Sequence, residues 1–348
     1  MNIGRYTPIE HDIRPSGSGR SKPRLIRNTM NTITRRDFLR GTTACCATVG
    51  TLTSTLTGFA AEGPRKMTLS LSPGSIGVSA NQPEAIALAS RHGFESVEPY
   101  GDFLAGLAEP QLQQMLADLK AKGLTWGAAG LPVDFRQDEA KFKDGLKQLP
   151  RVAAGLQRAG VVRVGTWLMP CHGSRTYVVN FRQHAARLRE TATVLRDHGQ
   201  RLGMEYVGTP TVWRSQRYPF IHTLAELKDL IAEIGTGNVG VVLDSWHWTM
   251  AGDTEADLRS LKNEDIVSVD LNDAPAGVPK DQQQDGRREL PCATGVLDLA
   301  TFLKALTQVG YDGPVRCEPF NKALNDLDND AACAATVAAL KKAMALLG

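Results

Sequence analysis

The feature that constrains this chain most is an alternation. From Met67 onward, short runs of apolar and β-branched residues take turns with longer segments of helical periodicity, eight times over. The spacing predicts strands over 67–72, 94–98, 124–128, 161–167, 204–207, 239–244, 266–271 and 314–318. It predicts helices over 83–92, 109–122 and 139–159, a long one reaching about residue 201, and then 224–234, 255–261, 299–306 and 331–347. Strict alternation of this kind makes an α/β protein with a parallel sheet, because each helix carries the chain back to the same end. Eight such units in residues 67–348 fit a single-domain, closed (β/α)8 TIM barrel. The competitor is a doubly wound open sheet, which places a glycine-rich ligand loop where the strand order switches. No GxGxxG follows the first strand, and no GxxxxGK[ST] occurs.

The net charge of +3 hides an uneven distribution. Residues 1–66 hold eleven Lys/Arg and four Asp/Glu, a net of +7, and the remainder carries a net of −4. A mildly acidic barrel argues against a phosphate-tracking surface, so no nucleic-acid partner is expected. The basic excess belongs to a leader. Thr34-Arg35-Arg36-Asp37-Phe38-Leu39-Arg40 resembles the twin-arginine export motif, and a weakly apolar stretch rich in Thr and Ala runs from Gly41 to Ala61. Small residues at Phe59-Ala60-Ala61 offer a cleavage site. Residues 30–61 therefore read as a signal peptide for the twin-arginine export machinery, with a periplasmic or secreted destination reached in the folded state. Met30 is the expected start, with residues 1–29 a mis-called or disordered extension. No run of about 20 apolar residues occurs, which argues against a membrane-spanning helix.

Of the six cysteines, Cys45 and Cys46 fall in the leader. Cys171, Cys292, Cys317 and Cys333 are scattered without a CxxC, which argues against a zinc knuckle and leaves buried or free thiols as the expectation. Two loops are long for an α/β unit: 167–177, and 272–295. Both follow strands, so both are placed at the catalytic face of a barrel.

Acidic residues mark the ends of the later strands. Glu205, Asp244, Asp270 and Glu318 lie in or at the ends of the fifth to eighth strands, and Glu98 ends the second. Side chains there can turn toward the barrel axis, so four neighbouring strands would aim carboxylates at one point. Bare carboxylates so close together must take up protons or share a cation. An all-oxygen donor set favours Mn²⁺ or Mg²⁺, with Co²⁺ or Zn²⁺ as alternatives. His247 follows Asp244 by three residues, and Trp246 lies between them. Arg287 or Arg288 in the second long loop could clamp a substrate oxygen bidentately. Trp246 could stack on the C–H face of a sugar, and Glu98 and His172 complete the substrate-pocket candidates.

These residues resemble a known family. From Met67 to the end, the chain looks like the xylose-isomerase-like barrels, the superfamily of sugar isomerases, sugar epimerases and inosose dehydratases. The resemblance rests on Leu243-Asp244-Ser245-Trp246-His247, on Asp270-Leu271-Asn272-Asp273-Ala274-Pro275, and on Gly310-Tyr311-Asp312-Gly313-Pro314 running into Glu318-Pro319-Phe320. It implies one divalent metal between Glu205, Asp244, the position of Asp270, and Glu318. Many relatives carry His where this chain has Asp270. Four carboxylates around a doubly charged ion leave a formal −2, for which Arg287, Arg288 and His247 are candidate offsets; the alternative is that Asp270 stays behind the ligands and a water fills its place.

The resemblance also implies the chemistry. Glu205 and Glu318 become the acid/base pair that removes and returns a proton beside a carbonyl through an enediolate, while the metal acts as Lewis acid. His247 becomes a hydroxyl ligand or proton relay. The expected function is a metal-dependent isomerase or epimerase of a small sugar or cyclitol. A lyase or dehydratase on a keto-sugar or keto-inositol is the runner-up, and a non-catalytic sugar-binding barrel is the alternative of another class. Barrels of this class commonly associate into homo-oligomers. No GxSxG or HExxH motif suggests another chemistry. Seven histidines, one of them in the leader, are too few for the three-metal endonuclease relatives.

Overall fold

The computed structural model describes residues 65–348. The expected leader, with its arginine pair, cleavage site and Met30 start, lies outside the described residues. The barrel strands are β1 Thr68–Leu71, β2 Ser96–Val97, β3 in two pieces (Thr125–Trp126 and Ala129–Gly130), β4 Arg163–Trp167, β5 Arg201–Glu205, β6 Val239–Asp244, β7 Ile266–Leu271 and β8 Pro314–Cys317. Every neighbouring pair in this sheet is parallel. The order begins on one piece of β3, passes through β2, β1, β8, β7, β6, β5 and β4, and ends on the other piece. Both ends of the sheet thus belong to a single strand, and the sheet comes round on itself as a TIM barrel.

The helices that follow the strands are α1 Gln82–His92, α2 Glu109–Ala121, α3 Glu139–Arg158, α4 Tyr177–Asp197, α5 Leu224–Ile234, α6 Glu255–Arg259, α7 Leu299–Gln308 and α8 Asn329–Met344. Their starts are chemically marked. Asn81, Asp138, Thr223, Thr254, Asp298 and Asp328 each accept a backbone N–H of the first turn. Their apolar faces pack on the outside of the barrel, where residues such as Leu69, Leu202, Leu243 and Val269 are fully or almost fully buried. Along β7, beyond a register shift between Ile266 and Ser268, Val269 and Leu271 alternate with Ser268 and Asp270. This two-residue period puts the polar pair on the opposite face of the strand from the apolar set.

Two sequence expectations shift. The long fourth helix stops at Asp197 rather than near residue 201, because Gly199 takes φ 73° and breaks it. The fifth strand accordingly starts at Arg201 rather than 204, in register with β4 from Arg163↔Arg201 to Trp167↔Glu205. Gly203 lies inside that strand because a Cβ there would meet Val267 Cβ at 2.7 Å and Val242 Cγ2 at 2.9 Å. A further helix, Ser245–Ala251, begins directly at the end of β6. The loop after β4 forms a two-residue strand, Cys171–His172, antiparallel to Tyr218–Pro219 from the loop after β5. Cys171, Cys292, Cys317 and Cys333 are free thiols. No described helix is long and apolar enough to cross a membrane.

Candidate active site

The register of three strands builds the site. Asp244 on β6, Asp270 on β7 and Arg316 on β8 are lateral neighbours, paired Asp270↔Asp244 and Asp270↔Arg316. Glu205 closes β5, and Glu318 follows β8 by one residue. One oxygen from each of Glu205, Asp244, Asp270 and Glu318 lies within 4.8 Å of the other three. A ring nitrogen of His247 lies within 4.8 Å of an oxygen of Glu205 and of one of Asp244. Asp244 and Asp270 are fully buried, Glu205 is nearly so, and Glu318 is half-buried.

Two arginines oppose these four acids. Arg288 Nη1 donates to Asp244 Oδ2 at 2.8 Å and stands 3.7 Å from Glu318 Oε2. Its Nη2 donates to Asp285 Oδ1 at 3.0 Å and to His247 Nε2 at 3.2 Å. Arg316 grips Asp270 with Nε on Oδ1 and Nη2 on Oδ2, the second bond at 3.0 Å, and stands 3.7 Å from Glu318 Oε1. Asn272 joins the two sides. Its Nδ2 donates to both oxygens of Asp244, and its Oδ1 accepts the Glu318 N–H.

Burial sets the proton affinities. It drives the Glu205 carboxyl well above its ordinary range, with Glu318, Asp244 and Asp270 adding repulsion. It pushes Glu318 to about 7 against the pull of Arg316, and Asp244 to about 6 against the pull of Arg288. Burial and then Arg288 bring His247 down to about 3. A guanidinium can only donate, so His247 Nε2 accepts and its proton sits on Nδ1, 3.5 Å from Thr209 Oγ1. His247 is therefore a neutral, buried acceptor for Arg288, not a poised acid.

The other expected residues spread more widely. Glu98 receives the Ser72 hydroxyl and feels Arg316 and Asp270, so it belongs to the edge of the cluster. Trp246 has no exposed surface. Its Nε1 donates to Thr209 Oγ1 at 2.8 Å, and Arg288 lies 5.4 Å from its ring, so it supports the arginine from behind and offers no face to a sugar. Arg287 is exposed, while its neighbour Arg288 is buried. His172 sits in the short antiparallel pair, where its Nδ1 accepts the backbone N–H groups of Ser174 and Arg175 and Arg175 Nη1 meets its Nε2 at 3.1 Å; it makes no contact with the carboxylates.

Sequence reasoning missed Arg316, Asn272, Asp285 and Thr209. Arg316 and Asn272 each stand two residues from an expected ligand, Glu318 and Asp270, so the strand period carried their signal. Asp273 was also missed as an anchor. Its two oxygens accept backbone N–H groups from Ala274, Thr294, Gly295, Val296 and Leu297, which ties both ends of the loop carrying Arg288. At the rim, Phe320 takes φ 43° and lays its half-exposed ring 4.8 Å from Arg288.

A family model, the xylose isomerase-like TIM barrel, matches residues 86–343. The chain belongs to that family. A xylose isomerase domain protein from Alicyclobacillus acidocaldarius, known as a solved structure, is 32% identical. It superimposes with a TM-score of 0.71 over 80% of this chain and 99% of its own. A 3-dehydroshikimate dehydratase of Pseudomonas putida is 27% identical over 254 residues, covering 71% of this chain and 37% of that enzyme. An inosose isomerase of Bacillus velezensis is 28% identical over 139 residues, 38% of this chain and 44% of that enzyme. The matched part thus spans less than half the length of these two enzymes. Enzymes named as isomerase and as dehydratase thus both stand among the chain's relatives.

Proposed function

We propose that this chain is a divalent-cation-dependent isomerase or epimerase that moves a proton beside the carbonyl of a small sugar or cyclitol. The observation that carries the reading is the pair Glu205 and Glu318. Neither side chain accepts a hydrogen bond from a described residue, both face the same acidic cluster, and burial raises the proton affinity of both. A buried carboxylate oxygen without a donor, Glu205 Oε1, is what a cation or a proton would satisfy. The donor set is all oxygen, which fits a hard divalent ion such as Mn²⁺ or Mg²⁺ at the cluster formed by Glu205, Asp244, Asp270 and Glu318. Bound there, such an ion would polarise a substrate carbonyl and stabilise negative charge developing on its oxygen.

The protein's own groups do the proton work. One glutamate takes the proton from the carbon beside the carbonyl, and the other delivers a proton at the neighbouring position or on the opposite face. A base poised near neutral pH contributes about 10²- to 10⁴-fold to such a step. Arg288 holds Asp244 in place, and Arg316 holds Asp270. Phe320 and Trp167, exposed by 41% and 42%, are half-exposed aromatic side chains past the end of β8 and at the end of β4, each with an arginine, Arg288 and Arg136, over one face of its ring.

The dehydratase named above matches 71% of this chain, a longer stretch than the isomerase, and this supports a second reading. Proton abstraction would then be followed by loss of a hydroxyl, with the same glutamates. The arginine pair at Arg35 and Arg36 supports export by the twin-arginine route, which points to an unphosphorylated substrate.

The test is a panel of ketoses, keto-inositols and keto-cyclitol acids incubated in D₂O with the Mn²⁺-loaded protein. Deuterium in recovered substrate or product, abolished by Glu318→Gln, supports proton transfer. Loss of water from the product selects the dehydratase. Tight binding with no exchange and no turnover would leave a sugar-binding barrel instead. Replacement of both Arg35 and Arg36 by lysine (R35K/R36K), followed by cell fractionation, tests the export reading.

A further inference from the structure

The two glutamates and the two aspartates of the cluster are not equivalent. A carboxylate offers about four lone-pair positions. Asp244 has four bonds: Oδ1 accepts from Trp246 N at 2.7 Å and Asn272 Nδ2 at 3.0 Å, and Oδ2 from Asn272 Nδ2 at 3.1 Å and Arg288 Nη1 at 2.8 Å. Asp270 has both oxygens gripped by the fork of Arg316, and it is fully buried. An ion on either Asp270 oxygen would share it with a guanidinium, two positive charges on one atom. Glu205 and Glu318 accept nothing from the described residues, and Glu205 is 7% exposed with Oε1 unpartnered. Glu318 faces both guanidiniums at 3.7 Å without bonding either.

We propose that Arg288 and Arg316 divide the cluster by function. Glu205 and Glu318 are the cation's protein ligands, water completes its shell, and Asp244 and Asp270 are positioning residues bound to the arginines. This inference rests on the cation reading above and sharpens it. It also closes the charge. Four carboxylates carry −4, the two arginines +2 and the ion +2, which cancel among these seven groups; Asp285 on Arg288 and Glu98 beside Arg316 stand at the edge, outside that sum. The −2 left by four carboxylates and an ion alone disappears. The positive charge comes from Arg288 and Arg316, not from Arg287 or His247. The site then suits a small, hydrated, oxygen-seeking ion, and Arg316 is a determinant of which residues ligate it.

The experiment is Mn²⁺ binding to the full chain, read by electron paramagnetic resonance of free and bound ion and by elemental analysis after desalting. Wild type is compared with Glu205→Gln, Glu318→Gln, Asp270→Asn and the double variant Asp270→Asn/Arg316→Met. The double variant removes both members of the pair, so no buried charge is stranded, and circular dichroism checks that each chain is folded. The expected result is one ion per wild-type chain and at least a hundredfold weaker binding in either glutamine variant. Asp270→Asn and the double variant should bind within tenfold of wild type. The zero-field splitting of the bound Mn²⁺ should change in Asp270→Asn, because Arg316 is released toward Glu318. If Asp270→Asn and the double variant both lose the ion as fully as Glu318→Gln, or if the glutamine variants keep it, the division is wrong while the cation reading stands. If wild type binds no Mn²⁺, both fall.

Discussion

At the amino-terminal end of the barrel strands, arginines serve the backbone. Arg163, which opens β4, donates to the carbonyls of Ile266 and Val267 and pairs with Asp312, and Arg201, which opens β5, donates to the carbonyl of Glu264. At the carboxyl-terminal end, Arg288 and Arg316 serve carboxylates. The residue type is the same and the task differs. At the first end, guanidiniums satisfy carbonyls where the chain enters the sheet, a condition for folding. At the second, they hold together a group of like charges that would otherwise repel, a condition for keeping a reactive site. This matches the division of labour in the fold, with stability at one face and chemistry at the other. Substitutions at the two ends should therefore separate activity from stability.

The largest effect belongs to Glu318→Gln. Losing the proposed base should lower kcat by about 10²- to 10⁴-fold. In the presence of a chelator the same change removes one of four mutually repelling carboxylates, so the urea midpoint should rise. A variant that is both inactive and more stable is the signature of a site held against its own repulsion. A fall in both would place Glu318 in the framework instead.

Next comes Arg288→Met. Asp244 and Asp285 would each lose the cation they share in a buried site, which costs about 3–5 kcal/mol in comparable cases. Urea denaturation measures it. Asp244→Asn in the same chain should recover part of the loss, since it removes one of the stranded charges.

A third effect lies in the barrel wall and opposes that of the cluster. His184 on α4 is buried between Phe135 and Phe220, and its Nδ1 donates to the Asn180 carbonyl. Burial lowers it to about 4, against the opposing pull of that hydrogen bond. The unfolded chain takes up a proton near pH 6.5 and the folded chain does so only near 4. Stability is therefore lost as pH falls through this window, by roughly 3 kcal/mol in all. Glu318 runs the other way. Its folded carboxyl titrates near 7, above the ordinary 4.5, so stability without metal is lost as pH rises from about 4.5 to 7. His184→Leu should shrink the acid-side loss without removing it, because buried His247, at about 3, loses stability in the same window, and should leave the decline with rising pH unchanged. Mn²⁺ should then reverse that decline. Thermal melts across pH 4–8, with and without the ion, read both.

The sequence shows why one end was easier to anticipate than the other. Barrel alternation is written locally, in runs of a few residues, so all eight strands and their helices were legible with small shifts. Glu205, Asp244 and Glu318 were legible because each falls at or just past the end of such a run. Arg316 was not, because its partner Asp270 lies 46 residues away and an arginine inside Val-Arg-Cys reads as a solvated strand residue. The helix Ser245–Ala251 was hidden because no turn residue separates it from β6. Gly208 makes room for it, since a Cβ there would lie 2.4 Å from the His247 carbonyl oxygen. Packing against a distant helix leaves no trace in the local pattern.

The smallest effect sharpens the comparison from the other end. Arg163→Met keeps the apolar stem against Tyr311, whose ring lies 6.0 Å from the guanidinium, and removes the donors to Ile266, Val267 and Asp312. Asp312 is half-exposed and water can reach it, so little is stranded there. The carbonyls belong to β7 at the end remote from Asp270. The cost should be that of the hydrogen bonds lost to the carbonyls of two buried residues, about 1–2 kcal/mol by urea denaturation. Mn²⁺ affinity, kcat and KM should stay at wild-type values. If kcat fell together with stability, the carbonyls of Ile266 and Val267 would be coupled along β7 to Asp270, and the two ends of the barrel would not be independent.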